Sequence, residues 1–356
     1  MRTLHPPARV HHAGPRALAA VLALGLLGCS GPQQTAGDSR AERRARRASA
    51  RVRGPGDGAG GSGTAAAPTG TAPAASGKAP AAIASRHPIM LNPPSTPGER
   101  SRERSEVRFS NEQFVRVDGN EIAHKKSDVI VRFEGDARVV EVDADGVPVV
   151  TEYTVVTAVA DVEGATRDIA QKGDVVVVRR KGPEPRIEGP AGPYKGPDGA
   201  AMELLFTTSD PGVSEDRVFG TSRMCEVGDS WPIDASAAAQ DLSAGGKIRV
   251  DSSNVSGQTT LVAARSCGQG QTCLTVRSEM DVGSFELTGT PPGATLRDSG
   301  SRVRIEQTHP VKVRSHRAEG KLDMLIHTVI GMTRDDKDVE LETRIHTVQT
   351  AISEPR

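Results

Sequence analysis

Aromatic side chains are nearly missing from this chain, which has six Phe, two Tyr and one Trp among 356 residues. Stacking platforms for sugars or bases are therefore excluded as a main theme, and any core has to be aliphatic. No apolar run approaches the roughly 20 residues that a membrane-spanning helix needs. The phosphate-cradling glycine loops, a G-x-G-x-x-G after a strand and the H-E-x-x-H pair of zinc hydrolases do not occur in the sequence. Gly228-Asp229-Ser230-Trp231-Pro232 lacks the second glycine of a nucleophile elbow. Asp143-Ala144-Asp145-Gly146 offers two acids and then closes as a turn, too few oxygens for calcium. No cofactor is implied by any motif, and the chain reads as non-catalytic.

Charge is balanced overall at 45 basic and 45 acidic residues, but unevenly along the chain. Residues 30–105 carry 12 Lys+Arg against 5 Asp+Glu, and residues 106–356 carry 30 against 40. An acidic body repels the phosphates on which nucleic-acid affinity depends, so nucleic acid is excluded as a partner.

The N-terminus has the order of an export signal: Arg2, Arg9 and Arg16 without an acid, then an apolar run from Ala17 to Leu27. Leu26-Leu27-Gly28-Cys29 resembles the lipobox of bacterial lipoproteins, although Leu27 stands where that family more often has a small residue. The resemblance implies cleavage before Cys29, acylation of its sulfur and attachment to a membrane through it. Ser30, rather than Asp, resembles the pattern of lipoproteins forwarded to an outer membrane. Residues 1–28 are thus expected to be a signal peptide. Residues 29–105 follow as anchor and disordered basic tether, rich in Ala, Gly, Pro and Ser and without apolar periodicity.

From residue 106 to 356 the texture is alternation, which predicts a single mainly β (α+β) domain: a large antiparallel, curved sheet with two short helices. Asp145-Gly146 and Glu163-Gly164 mark hairpin turns. Asp174 to Arg180 predicts a strand buried on both faces in its middle. Asp198 is expected to cap a helix over Gly199–Phe206, and Asp234 one over Ala235–Leu242. Val303–Val313, Lys321–Met332 and Val339–Thr350 predict a meander. A hairpin centred between Asp336 and Lys337 puts Ile326, Ile330, Met332, Leu341 and Ile345 on one face, with Asp323, His327, Glu342, Arg344 and His346 on the other.

That register sets His327 directly opposite His346, where two imidazoles either share a zinc or copper ion or stand as exposed strand residues. Cys267 and Cys273 enclose a turn-rich loop in an oxidising compartment and are expected to form a disulfide, which leaves Cys225 as a buried thiol. Trp231, held extended by Pro232, either plugs the core or stacks on a ligand. Val227-Gly228-Asp229-Ser230-Trp231 resembles a V-G-D-[ST]-W turn of uncharacterised exported lipoproteins, which implies a β-rich envelope domain and no particular chemistry.

The expected function is that of a membrane-anchored envelope lipoprotein with a binding or structural role. A curved sheet over short helices would resemble the bacterial lipoprotein-carrier architecture, whose concave apolar face holds acyl chains, so lipid or another apolar ligand is the most specific version. The alternatives are a metal-dependent hydrolase on the His327/His346 face and a scaffold for an envelope protein.

Overall fold

The computed structural model describes residues 85–92, 94–180, 185–206, 213–268, 270–311 and 317–356. The export signal, Cys29 and most of the tether lie outside them. Its strands are β1 His87–Pro88, β2 Arg100–Val117, β3 Asn120–Val142, β4 Pro148–Val162, β5 Ala165–Ala170, β6 Val175–Arg179, β7 Arg186–Gly189, β8 Gly192–Pro193, β9 Met224–Cys225, β10 Ser230–Pro232, β11 Ile248–Arg249, β12 Val255–Gly268, β13 Gln271–Val282, β14 Glu286–Leu287, β15 Ala294–Pro310, β16 Ala318–Arg334 and β17 Lys337–Pro355. Among the described residues three short helices accompany them: α1 Gly196–Leu205, α2 Glu215–Phe219 and α3 Ala235–Ser243.

Thirteen strands join one antiparallel sheet in the order β10-β12-β13-β15-β16-β17-β2-β3-β4-β6-β7-β8, with β5 on β4. The fold is therefore mainly β and built on one large antiparallel sheet. Its centre is where the first long strand and the last strand of the described residues meet: β17 pairs along its length with β2, from Val339–Val117 to Pro355–Ser101. The folded body consequently starts earlier than residue 106. Arg100 already pairs with Arg138, and Ile89 and Leu91 are buried before it.

Three hairpins close on two residues that both have positive φ: Asp118-Gly119, Glu163-Gly164 and Asp335-Asp336. That geometry is the type I′ turn, whose twist suits antiparallel strands. Asp335-Asp336 fixes Arg334 opposite Lys337, so the β16–β17 ladder pairs Ile326 with Ile345. This corrects the expected centre by one residue and the facing partners by two. An even shift keeps every side chain on its face, so Ile326, Ile330 and Ile345 remain buried.

One face of the sheet is inner and the other outer. Val107, Phe109, Val131, Phe133, Val303, Ile305, Leu322, Met324, Ile326 and Ile345 bury themselves on the inner face as part of one continuous core. The outer face carries cross-strand ion pairs such as Arg277–Glu306 (2.7 Å), Arg302–Asp281 (2.8 Å), Arg132–Glu106 (2.8 Å) and Arg102–Glu134 (2.7 Å). Solvent screens these pairs, so their main effect is to keep that face in water and in register. β6 obeys the same alternation: Val176 and Val178 are buried and Val175 is exposed, so it is covered on one face rather than two.

The helices stand on the inner side at two footholds. α1 packs on β2, β3, β5 and β7, while α3 packs on β11 and β12. Asp234 caps α3 by accepting from Ala237 N at 2.9 Å. Asp198 does not cap α1, which begins at Gly196 after Lys195. Its carboxylate instead takes a hydrogen bond from Arg167 on β5, and this pins α1 to the sheet. Between the two footholds lie the inner faces of β13, β15, β16 and β17.

Candidate functional site

On the outer face the two histidines are separated by the register. His327 faces Arg344 and His346 faces Leu325. Each ring has its own carboxylates: His327 Nε2 lies 3.2 Å from Glu342 Oε1 and its Nδ1 lies 3.3 Å from Asp298 Oδ2, whereas His346 Nε2 lies 3.0 Å from Asp323 Oδ1. Glu342 is 4% exposed, and burial alone would raise its pKa. Hydrogen bonds from Arg116 and Arg344 outweigh that and hold it below the usual carboxylate range. Arg116 and Arg344 also lie over the Phe114 ring, which stacks on His124. A groove of about 660 Å³ runs past Gly300, Arg302, Leu325, His327, Arg344 and His346. Its charges are spent on one another, and the described residues contain no group of three or more His, Cys, Asp or Glu placed to hold a metal.

Trp231 is a core residue. It is 4% exposed, and its Nε1 donates to Phe219 O at 2.8 Å, so its faces are packed rather than offered to a ligand. Cys267 and Cys273 are joined by a disulfide across the end of the β12–β13 hairpin. Cys225 is a free, buried thiol; burial pushes its pKa up and Asp229 adds to the shift. His309 is buried on β15, and His316 lies outside the described residues.

The inner face holds a different chemistry, which the alternating pattern alone did not announce. In its middle, amid Ile326, Ile345, Met324 and Phe109, Asn111 Oδ1, Ser301 Oγ, Thr343 Oγ1 and Thr347 Oγ1 are buried without a hydrogen-bond partner among the described residues. At the end away from the Asp118-Gly119 and Asp335-Asp336 turns, Ser353 pairs with Glu103 across β17–β2. Ser101 Oγ donates to Glu103 Oε1 at 3.2 Å, and the Tyr153 hydroxyl also bonds to that carboxyl. Glu103 keeps a strip of surface open, yet protein atoms surround it closely enough that desolvation dominates. Its pKa is pushed up to about 7 against the opposing pull of Ser101, Arg180 and Tyr153. Burial likewise lowers the pKa of Arg180, which is 6% exposed.

Beside this group, Gln307 Nε2 donates to the buried Glu215 at 3.0 Å, and Asn92 Nδ2 donates to the same oxygen at 2.9 Å. Asp216 accepts from the backbone N–H groups of Leu91 (2.6 Å) and Asn92 (2.8 Å). The N-terminal strap is thereby tied to the start of α2, where Ser214 accepts from Arg217 N.

No family model matches this chain, and no curated protein matches it. Among solved structures it is similar to Pseudomonas aeruginosa OpdQ over 70% of this chain and 97% of that one, at 7% identity and a TM-score of 0.22. It is also similar to Ail, the attachment invasion locus protein of Yersinia pestis, over 72% of this chain and 99% of that one, at 8% identity and a TM-score of 0.12.

Proposed function

We propose that this chain is a membrane-anchored, non-catalytic lipoprotein of the cell envelope whose sheet holds an apolar or amphiphilic ligand against its inner face. Anchoring follows from the lipobox-like Leu26-Leu27-Gly28-Cys29, with the outer membrane as the favoured location from Ser30. The observation that carries the ligand reading is the composition of the inner face between the helical footholds. It interleaves aliphatic side chains such as Val303, Ile305, Leu322, Met324, Ile326 and Ile345 with buried polar ones, of which Asn111 Oδ1, Ser301 Oγ, Thr343 Oγ1 and Thr347 Oγ1 have no hydrogen-bond partner among the described residues. Small-molecule sites have that mixture, apolar walls for area and sparse polar atoms for orientation. A dry core would leave each such atom at a cost of about 1–3 kcal/mol.

At the His327/His346 face the hydrolase alternative is disfavoured, because each histidine is engaged by its own carboxylates. A scaffold built on strand addition is disfavoured at the two ends of the strand order, where β10 has three residues and β8 two.

Two measurements test the proposal. Labelled palmitate should enter the protein in its host and fail to enter Cys29→Ala. Delipidated full-length protein should bind a fluorescent fatty-acid analogue at one saturable site, unchanged by Leu325→Asp in the outer groove. Non-saturable binding, or binding abolished by Leu325→Asp, would place the apolar contact outside and contradict the inner-face reading.

A further inference from the structure

The end of the inner face near Pro310 and Pro355 carries three bare polar atoms, and their chemistry is specific. His309 is 7% exposed, Gln307 3% and Ser353 2%. His309 Nδ1 lies 3.4 Å from Pro310 O, and a carbonyl only accepts, so Nδ1 carries the proton and Nε2 presents a lone pair. That Nε2 has no hydrogen-bond partner among the described residues. Gln307 spends its Nε2 on Glu215, which leaves Oε1 as the bare atom, and Ser353 Oγ is bare as well. Two obligate acceptors and a hydroxyl thus wait for donors.

Register puts them around a floor of small residues. Gln307 faces Gly320, Gly320 faces Ala351 and Ala351 faces Ser105. One row further out, Ala318 faces Ser353 and Ser353 faces Glu103. From β15 to β2 the floor spans three strand spacings, about 14 Å. Along β17 from Ala351 through Gln349 and Thr347 to Ile345 the face continues for roughly 20 Å at about 3.4 Å per residue, with Leu322, Met324 and Ile326 of β16 opposite the last three. The length suits a long acyl chain, and its polar end suits a head group.

We infer that this polar end, bounded by His309, Gln307, Ser353 and Glu103, is a head-group site for an uncharged amphiphile bearing hydroxyl donors, of the monoacylglycerol kind; this rests on the ligand-binding reading above. An anionic head would set its oxygens against the lone pairs of His309 Nε2 and Gln307 Oε1. The buried cation of the neighbourhood, Arg180, already feels the charge of Glu103. Burial also lowers the His309 pKa, which keeps the ring neutral and Nε2 an acceptor. A hydroxylated, neutral head satisfies all three atoms at once.

The test uses delipidated full-length protein at pH 8 and two probes, 1-oleoylglycerol and oleate, with binding followed by calorimetry. Wild type should bind 1-oleoylglycerol at least tenfold more tightly than oleate. His309→Leu and Ser353→Ala should each weaken 1-oleoylglycerol by about tenfold and leave oleate unchanged. Ser353→Ala is the milder change and guards against misfolding, with the thermal unfolding midpoint as the control. Equal or tighter oleate binding, or an unmoved ratio in a folded variant, would assign the bare atoms to water and overturn the head-group site while the ligand reading stood. Binding of neither probe would overturn both.

Discussion

His327 faces Arg344 across the β16–β17 ladder, and His346 sits one diagonal step away against Leu325. The imidazoles therefore answer to different carboxylates, Glu342 and Asp323. Zinc added to the full-length protein and then dialysed should remain well below one equivalent, and His346→Ala should not change that value. Stoichiometric zinc lost on His346→Ala would restore the metal site that the register takes apart.

The Asp335-Asp336 turn places two non-glycine residues at φ values of 53° and 60°. Aspartate tolerates that region and glycine prefers it, especially at the second position of a type I′ turn. Asp336→Gly should therefore stabilise the protein by about 0.5–1 kcal/mol in urea titration. A loss of stability would mean that the Asp336 carboxylate has a role the turn does not require.

Glu103 gives stability a pH dependence of definite sign. Burial raises its folded-state pKa to about 7, so the folded form binds a proton that the unfolded chain has released. The stabilisation is complete below the ordinary carboxylate range and is lost as pH rises toward and through 7. Between pH 5 and pH 8 the protein should lose about 1–3 kcal/mol from this group, and Glu103→Gln should flatten the profile. A wild-type profile that climbs over that interval, or a variant with the same slope, would contradict the assignment.

Trp231 should behave as core. Trp231→Ala removes a buried ring and leaves Phe219 O without its donor, at a cost of about 3–5 kcal/mol. Its fluorescence should not respond to ligands on the inner face. Quenching by a bound probe would return Trp231 to a stacking role.

Much of the fold was legible because alternation and turn chemistry are local. Asp145-Gly146, Glu163-Gly164, the Asp234 cap and the placing of Ile326 and Ile345 on one face all follow from nearest neighbours. The hairpin of β2 and the first half of β3 is not marked by alternation alone, although Asp118-Gly119 has the same turn chemistry as Glu163-Gly164. Helix α2 was missed because it is only five residues long; Ser214, with Glu215 and Asp216 in the first turn, is its faint trace. Asp198 looked like a cap but serves Arg167, a choice set by tertiary contact. The inner polar end was hidden for a deeper reason. Glu103, Ser353, His309 and Arg180 lie far apart in the chain and are brought together only by the β17–β2 pairing that joins the first long strand to the last. Until that pairing is known, each reads as an ordinary member of an alternating strand.

Native mass spectrometry of the full-length protein, released gently from envelopes of its own host, reads the anchor and the inner-face ligand in one spectrum. The expected species is a chain that begins at an acylated Cys29 and carries one further non-covalent amphiphile, displaced by added 1-oleoylglycerol. A folded, acylated chain that carries no small molecule and takes none up would contradict the ligand-holding sheet.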